Sequence, residues 1–330
     1  MRIAVSGSIA NDYLMSFPGK IREHIVAEQL ERVSLSFLID SLQIRRGGVA
    51  ANISFGMAQL GLTPLLVGAV GRDFFSEYGP HLTDTGVDTS ALHVAEHAHT
   101  SLFLCTTDQE ENQIASFYPG AMDEAPDIDL EAIGAGHGQP DLVVVCPNAP
   151  SAMTRHTRQA RDNGWAVAAD PSQQLPRLDG ETIAELVDGA AYLLSNDYEA
   201  ALIESKTGWS SNEILSRVGV RVTTHGPKGC VIERSGEEPV EVPAVPPVDG
   251  DGPFDPTGVG DAFRAGFLSG MAQGLSLERA AQIGSLVATE SLEADGPQEY
   301  WLRSPDAGDR FAATYGDEAA SEVAGLLGRA

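Results

Sequence analysis

Apolar and polar positions follow two different rhythms along this chain. Near the start, Ile3-Ala4-Val5 is a short apolar strand that breaks at Gly7-Ser8, with Asn11 and Asp12 directly after it. Val33-Ser34-Leu35-Ser36-Phe37-Leu38 then alternates strictly, which predicts a strand with one covered face. Ser101 to Thr107 and Gln113 to Tyr118 flank the acidic turn Asp108-Gln109-Glu110-Glu111-Asn112, the pattern of a β-hairpin. These ribbons predict a small sheet set apart from the main body, a discontinuous lid drawn from about 13–46 and 97–118.

Elsewhere the pattern is that of buried strands separated by helices. Arg46-Gly47-Gly48-Val49-Ala50-Ala51-Asn52 leads into a helix with Ile53, Met57 and Leu60 on one face, stopped by Gly61. Leu65 to Val70 reads as a buried strand. From Asp141 onward the alternation is regular: Leu142 to Cys146 strand, Ala152 to Asp162 helix, Ala166 to Ala169 strand, Tyr192 to Leu194 strand, Arg221 to Thr224 strand. Strand, helix, strand in that order predicts an α/β domain with a central, mostly parallel sheet and helices on both faces, spanning residues 1–330. Polar residues just past the carboxyl ends of such strands are where ligands sit. Here they are Asp12, Asp170-Pro171-Ser172-Gln173-Gln174, Ser195-Asn196 and His225-Gly226. The Pro-rich stretch Val242 to Pro256 reads as a surface connection.

Composition narrows the class. Hydrophobic residues make up 42% of the chain, which suits a soluble globule, and no apolar run approaches a membrane span. A formal net charge of −26 argues against nucleic-acid and anionic-membrane partners, whose phosphates demand the opposite sign. Cys105, Cys146 and Cys230 are odd in number and widely spaced, which suggests buried thiols in a reducing compartment. The opening stretch is too soon interrupted to be a signal peptide, so the expected location is cytoplasmic.

The chemistry concentrates in Asp255-Pro256-Thr257-Gly258-Val259-Gly260-Asp261-Ala262-Phe263, a glycine-rich turn running into a helix. Backbone N–H groups of Gly258, Val259 and Gly260 converge there at the positive end of the helix dipole, a cradle for an anion. Asp261 stands at its mouth. A carboxylate repels a resident phosphate, but is well placed to take a proton from a hydroxyl attacking a phosphoryl group in transit. The competing role for Asp261 is a helix cap. Phe263 spoils the dinucleotide fingerprint, and no Gly-x4-Gly-Lys-Ser/Thr occurs anywhere.

Gly47-Gly48-Val49-Ala50-Ala51-Asn52-Ile53-Ser54 with Gly61 and Gly71 resembles the first signature of the ribokinase-like (PfkB) kinases. The turn ending at Asp261, with Ala265-Gly266-Phe267-Leu268 behind it, resembles the second, departing at Val259 where Ala, Gly or Ser is usual. Asn196-Asp197-Tyr198-Glu199 and Thr224-His225-Gly226-Pro227-Lys228-Gly229 resemble the family's Asn-x-x-Glu motif and nucleotide-binding turn. Within the family, Gly7-Ser8-Ile9-Ala10, Val33 to Leu38, Ile114 to Gly120, Ala169 to Gln174 and the segment ending at Asn196 are similar to the bacterial adenosine kinases. The resemblance implies a three-layer α/β/α domain with a β-lid. It also implies adenosine as acceptor, ATP as donor, Mg2+ as cofactor, a role in purine salvage, and a homodimer clasped through the lid. It leaves a monovalent-cation requirement open.

The roles it implies fall on particular residues. Asp261 becomes the general base on the ribose 5′-hydroxyl, with the Gly258, Val259 and Gly260 amides on the transferring phosphoryl. Asp12, Asn52 and the Gly48 backbone would grip the vicinal ribose hydroxyls; a turn Asp is the competing role for Asp12. Ser8 and Ser36 are further candidates, although serines at strand ends often satisfy local backbone. Phe103 and Phe117 would sandwich the purine, where strand aromatics more often form core. Gln173 would reach either the base edge or phosphate. Asn196, Thr224, Gly226 and Gly229 are ATP contacts, and Glu199 would organise Mg2+ through water, unless it is a surface helix residue. Arg264 is a further phosphate candidate that nothing in the sequence decides. His97 and His99 alternate as on a strand but lack a third ligand and read as surface. The rivals are a sugar kinase of the same family, for which Phe103 and Phe117 are superfluous, and a non-catalytic ligand-binding homologue, which would not need Asp261.

Overall fold

The computed structural model describes residues 1–24, 35–248, 254–302 and 305–327. Strands are β1 (Ile3–Ser6), β2 (Ala10–Ser16), β3 (Ser41–Gly47), β4 (Leu65–Val67), β5 (Ala69–Val70), β6 (His93–Val94) and β7 (Ser101–Thr107), followed by β8 (Gln113–Tyr118), β9 (Leu142–Val145), β10 (Ala166–Ala169), β11 (Tyr192–Asn196), β12 (Val220–Thr224), β13 (Cys230–Glu233) and β14 (Val240–Val242). Helices are α1 (Val49–Gln59), α2 (Tyr78–Thr85), α3 (Leu130–His137), α4 (Pro150–Asp162), α5 (Gly180–Val187), α6 (Asp197–Thr207), α7 (Ser211–Arg217), α8 (Val259–Ala272), α9 (Leu277–Leu292), α10 (Pro305–Tyr315) and α11 (Asp317–Val323).

Eight strands form the main sheet in the order β14-β13-β12-β11-β10-β9-β1-β4. It is parallel from β12 to β4, with β13 and β14 added antiparallel at one edge. Alternate strand residues feed two separate cores. Ile3, Val5, Leu142 and Val144 join the core that contains α1, α8 and α9. Ala4, Val143, Val145 and Val167 join the one that contains residues of α4, α5 and α6. Apolar residues pointing both ways are what a sheet covered on both faces requires.

Helix α1 is buried along its whole length rather than on one face, because α8 and α2 pack on it as well as β1 and β4. The small residues of α8 serve that contact and the one with α9. A Cβ on Gly266 would lie 2.6 Å from Gly284 Cα, and one on Gly56 2.6 Å from Ala265 Cβ. The close neighbours of α8 are therefore helices as well as the sheet.

A second, four-stranded sheet has the order β3-β2-β7-β8. The hairpin β7–β8 falls where the alternation predicted it. Of the strand expected at 33–38, residues 33 and 34 lie outside the described residues, and the described residues 35–40 carry no strand. Phe37 instead packs on Phe17 and His24, with ring centroids 4.8 and 5.6 Å apart. The strand is β3, which pairs with the unanticipated β2. His97 and His99 are exposed on an irregular segment rather than on a strand. The connection after β14 is not wholly superficial, since Val245 is buried and bonded to Ser285 and Thr289 of α9, while 249–253 lie outside the described residues.

Candidate active site

The carboxyl ends of β1, β9 and β10, the start of α1 and α8, and the inner face of the small sheet enclose a cavity of about 440 Å3. Its lining includes Ser8, Asp12, Gly48, Asn52, Phe103, Phe117, Gln173, Gly258 and Asp261 from among the expected residues. Val259 and Gly260 follow in the first turn of α8 behind that lining.

Helix α8 starts from Gly258, whose φ of 76° is left-handed and whose Cβ, if present, would lie 2.4 Å from Pro297 Cβ. Only glycine fits that position. Among the described residues, the Gly258 and Gly260 amides meet no acceptor, and Val259 N–H reaches only Pro256 O at 3.4 Å. Free N–H groups at a helix start are the expected anion cradle. Asp261, in the same turn, makes no capping bond. It is buried, and its Oδ2 accepts a 2.8 Å hydrogen bond from Asn52 Nδ2. Burial pushes its carboxyl up to about 6, a rise opposed by the Arg264 guanidinium and the Asn52 bond and supported by Glu199. That keeps it a usable base near neutrality.

The small sheet delivers its chemistry in one transverse row. Arg45 on β3 pairs with Asp12 on β2, Asp12 with Phe103 on β7, and Phe103 with Phe117 on β8. Directly opposed residues share a face. Three strand spacings make the row about 14 Å long, the scale of a nucleoside. Arg45, at one end, ion-pairs with Asp255 at the head of the glycine turn and with Asp295. Asp12 accepts no hydrogen bond from a described residue, and burial raises its carboxyl to about 6 despite Arg45. At the other end stand the two rings, Phe117 being 43% exposed.

Other expected residues have different surroundings. Gly48, with φ 93°, brings backbone close to Ser8 and Ile9, where a Cβ would lie 2.6 Å from Ser8 O. Ser8 Oγ accepts from Val49 N at 3.1 Å, so its hydroxyl serves the start of α1. Ser36 is exposed and does not line the cavity. Gln173 is exposed on the loop after β10. Asn196 and Thr224 are paired residues at the adjacent ends of β11 and β12, with Gly226 (φ 56°) and Gly229 (φ 96°) in the turn beyond, all outside the cavity lining.

Glu199 is not a surface residue: it is buried, closing a capping box with Asn196 and accepting from Ser172 Oγ at 3.1 Å. Beside it lies a buried cluster that local sequence did not disclose. Arg264 Nη2 is 2.7 Å from Asp170 Oδ1 and 3.4 Å from Glu199 Oε2. Asp170 is fully buried with no aligned donor on either oxygen, and burial raises its carboxyl to about 7. Among the described residues no three acidic, histidine or cysteine side chains are grouped to ligate a metal directly, so a divalent cation beside Glu199 would be held through its waters.

A profile of the family described as pfkB family carbohydrate kinase matches residues 13–303. A nucleoside kinase of Methanocaldococcus jannaschii is 29% identical over 303 residues, 90% of this chain and 92% of the relative. The crystal structure of that archaeal nucleoside kinase, a member of the ribokinase family, superposes with a TM-score of 0.82 over 95% of this chain and 99% of its own. A Burkholderia thailandensis nucleoside kinase solved in complex with inosine gives a TM-score of 0.80 at 33% identity, covering 95% of this chain and 98% of that one. It has also been solved with ADP-inosine. Among the described residues, no helix is long and apolar enough to cross a membrane.

Proposed function

The chain belongs to the pfkB family of carbohydrate kinases, and on that premise we propose that it is an ATP-dependent nucleoside kinase that phosphorylates the ribose 5′-hydroxyl of adenosine and related purine nucleosides. The observation that carries the reading is the transverse row of the small sheet. A sugar alone would need only its Asp12 end, whereas Phe103 and Phe117 continue the site one nucleobase further. The inosine and ADP-inosine complexes of the Burkholderia relative support the same acceptor class.

In this reading Asp12 accepts from the ribose cis-diol, and Gly48 backbone closes over it. Asn52 serves Asp261 first, since one of its N–H groups is committed to that carboxylate. Asp261 takes the 5′-hydroxyl proton as the oxygen bonds to the γ-phosphorus and the bond to the ADP oxygen breaks. The Gly258, Val259 and Gly260 amides hold charge on the transferring oxygens. Asn196, Thr224, Gly226 and Gly229 hold ATP on the ledge beside the cavity. Bound Mg2+ would neutralise phosphate charge, held through water by Glu199 with Asp170 nearby.

The small sheet acts as the lid and also pairs two chains. Its outer face carries Leu42, Ile44, Ile114 and Tyr118, all well exposed, with Tyr13, Met15 and Leu104 between them. An apolar patch of this kind marks an interface. The acceptor is tested by coupled ADP release with ATP-Mg2+ against adenosine, inosine, guanosine, ribose and fructose. A wild type that prefers ribose or fructose overturns the nucleoside reading.

A further inference from the structure

A buried chain of hydrogen bonds joins the end of β3 to Asp261 through two residues that do not line the cavity. Gly47 O accepts from Tyr78 Oη at 2.6 Å, and Tyr78 Oη accepts from Gln298 Nε2 at 2.7 Å. The same Nε2 donates to Asn52 Oδ1 at 2.8 Å, and Asn52 Nδ2 donates to Asp261 Oδ2 at 2.8 Å. Tyr78, Gln298, Asn52 and Asp261 are all buried.

The direction of each bond follows from the one before it. A peptide carbonyl only accepts, so Tyr78 spends its single proton on Gly47. Its oxygen then only accepts, and must face the NH2 end of Gln298. The second proton of that NH2 needs an acceptor, which on Asn52 is the carbonyl oxygen. Asn52 therefore turns its own NH2 toward Asp261.

We propose that Gln298 and Tyr78 are positioning residues for phosphoryl transfer, fixing the Asn52 amide so that it presents N–H rather than C=O to Asp261. A flipped amide would set a carbonyl oxygen against the carboxylate and favour its protonated form, which cannot take the hydroxyl proton. This rests on the kinase reading and extends it to residues remote from substrate.

The groups around Asp261 make one donor count. Arg264, on its own helix, favours the charged form, while Glu199 on α6 and Asp170 at the end of β10 oppose it. Cys146, Tyr300 and Tyr78 also feel its charge, and burial keeps all three above their usual values and neutral. His81 meets Gln298 from α2 and is held below its usual value by burial.

The experiment compares full-length wild type, Gln298→Met and Tyr78→Phe, measuring kcat and nucleoside KM with ATP-Mg2+ from about pH 5 to 9. Gln298→Met should move the acid limb of kcat upward by about one unit, which from a limb near 6 lowers kcat about twofold at pH 7 and about fivefold to tenfold at pH 6 and below, and should leave nucleoside KM within about twofold. Activity should recover toward wild type at alkaline pH. Tyr78→Phe should shift the limb the same way by less, and decides the question alone if Gln298→Met does not fold. An unmoved limb in the folded variants overturns the proposal, as does a loss spread over kcat and KM at every pH. A wild type inert on all nucleosides but active on a sugar defeats the nucleoside reading and leaves the same comparison to be run on that sugar. A wild type inert on every acceptor defeats both.

Discussion

The floor of the proposed active site and the lid are built on opposite terms. The floor is α1 and the first turns of α8: α1 is wholly buried, Asp261 through Gly270 are buried, and Asn52 and Asp261 are held by directional bonds. The lid has an entire strand, β8, exposed, and keeps a polar and aromatic row facing a cavity instead of packing it. Rigid placement belongs where proton transfer must be aimed, and incomplete packing belongs where a ligand supplies the missing contacts. The difference implies that changes in the floor act on rate for any acceptor, whereas changes in the lid act on which acceptor is used.

The sharpest break in that division is Asp261→Asn. The amide keeps the shape but cannot take the proton, so kcat should fall by about a hundredfold or more while nucleoside binding measured by calorimetry persists. Retention of more than about a tenth of the turnover removes Asp261 as the base. The same change should not cost stability. The folded Asp261 carboxyl sits above its ordinary value because of burial, so its charged form opposes folding at neutral pH, and that penalty fades as pH falls through about 6. The amide removes it, and the variant should melt at or above wild type near pH 7.5.

Floor and lid should also part in their pH response. Asp261 and Asp12 are both raised to about 6; Asp261 must be ionised to take the hydroxyl proton, and Asp12 to accept from both hydroxyls of the diol. Activity should therefore fall on the acid side. In kcat/KM the fall should be steeper than about tenfold per pH unit, because two protons are involved in the free enzyme. In kcat it should approach tenfold per unit, if bound ribose hydroxyls hold Asp12 ionised. Equal slopes in the two profiles would mean that Asp12 does not grip the diol.

Smaller effects are expected from the rings. Phe103→Ala or Phe117→Ala removes one stacking face worth about 1–3 kcal/mol, roughly tenfold in kcat/KM for adenosine or inosine. Phosphorylation of ribose should barely change. An equal loss for ribose and nucleoside would make the rings mere supports of the lid.

Much of the floor was legible because its signals are local. The turn Asp255 to Asp261 and the run Gly47 to Ser54 place glycine where backbone must approach closely, and a short stretch of chain suffices to show it. The hairpin was legible from two strand-like runs on either side of a five-residue acidic turn. β2 was not, since Ala-Asn-Asp-Tyr-Leu-Met-Ser has no period of two, and its existence depends on pairing with β3 and β7. The row Arg45–Asp12–Phe103–Phe117 could not be read without that register. Asp170 stood out as a strand-end carboxylate and Arg264 as a phosphate candidate, but that they pair is visible only once tertiary packing buries them together. Gln298 lies 246 residues from Asn52 and 220 from Tyr78, a separation at which a single sequence carries no signal.

The least effect on catalysis, and the cleanest separation of the two faces of one sheet, should come from Ile44→Glu. Successive residues of β3 point to opposite faces, so Arg45 faces the cavity and Ile44 faces away. Ile44 is 58% exposed on the edge strand β3, beside Leu42, 51% exposed, and in register with Tyr13 and Leu104; Ile114 and Tyr118, at 42% and 41%, continue the same face on β8 at the other edge. If two chains clasp through this face, a carboxylate on it must be desolvated on pairing without a partner, which typically costs several kcal/mol. The wild type should then sediment at micromolar concentration as a species near twice 34.8 kDa, and the variant as one near 34.8 kDa. Its kcat should stay within a few-fold of wild type, because no residue of the outer row lines the cavity. A wild type that is already monomeric removes the clasp. A monomeric variant that loses most of its turnover would show instead that the partner chain holds the lid in its working position, and that floor and lid are not independent.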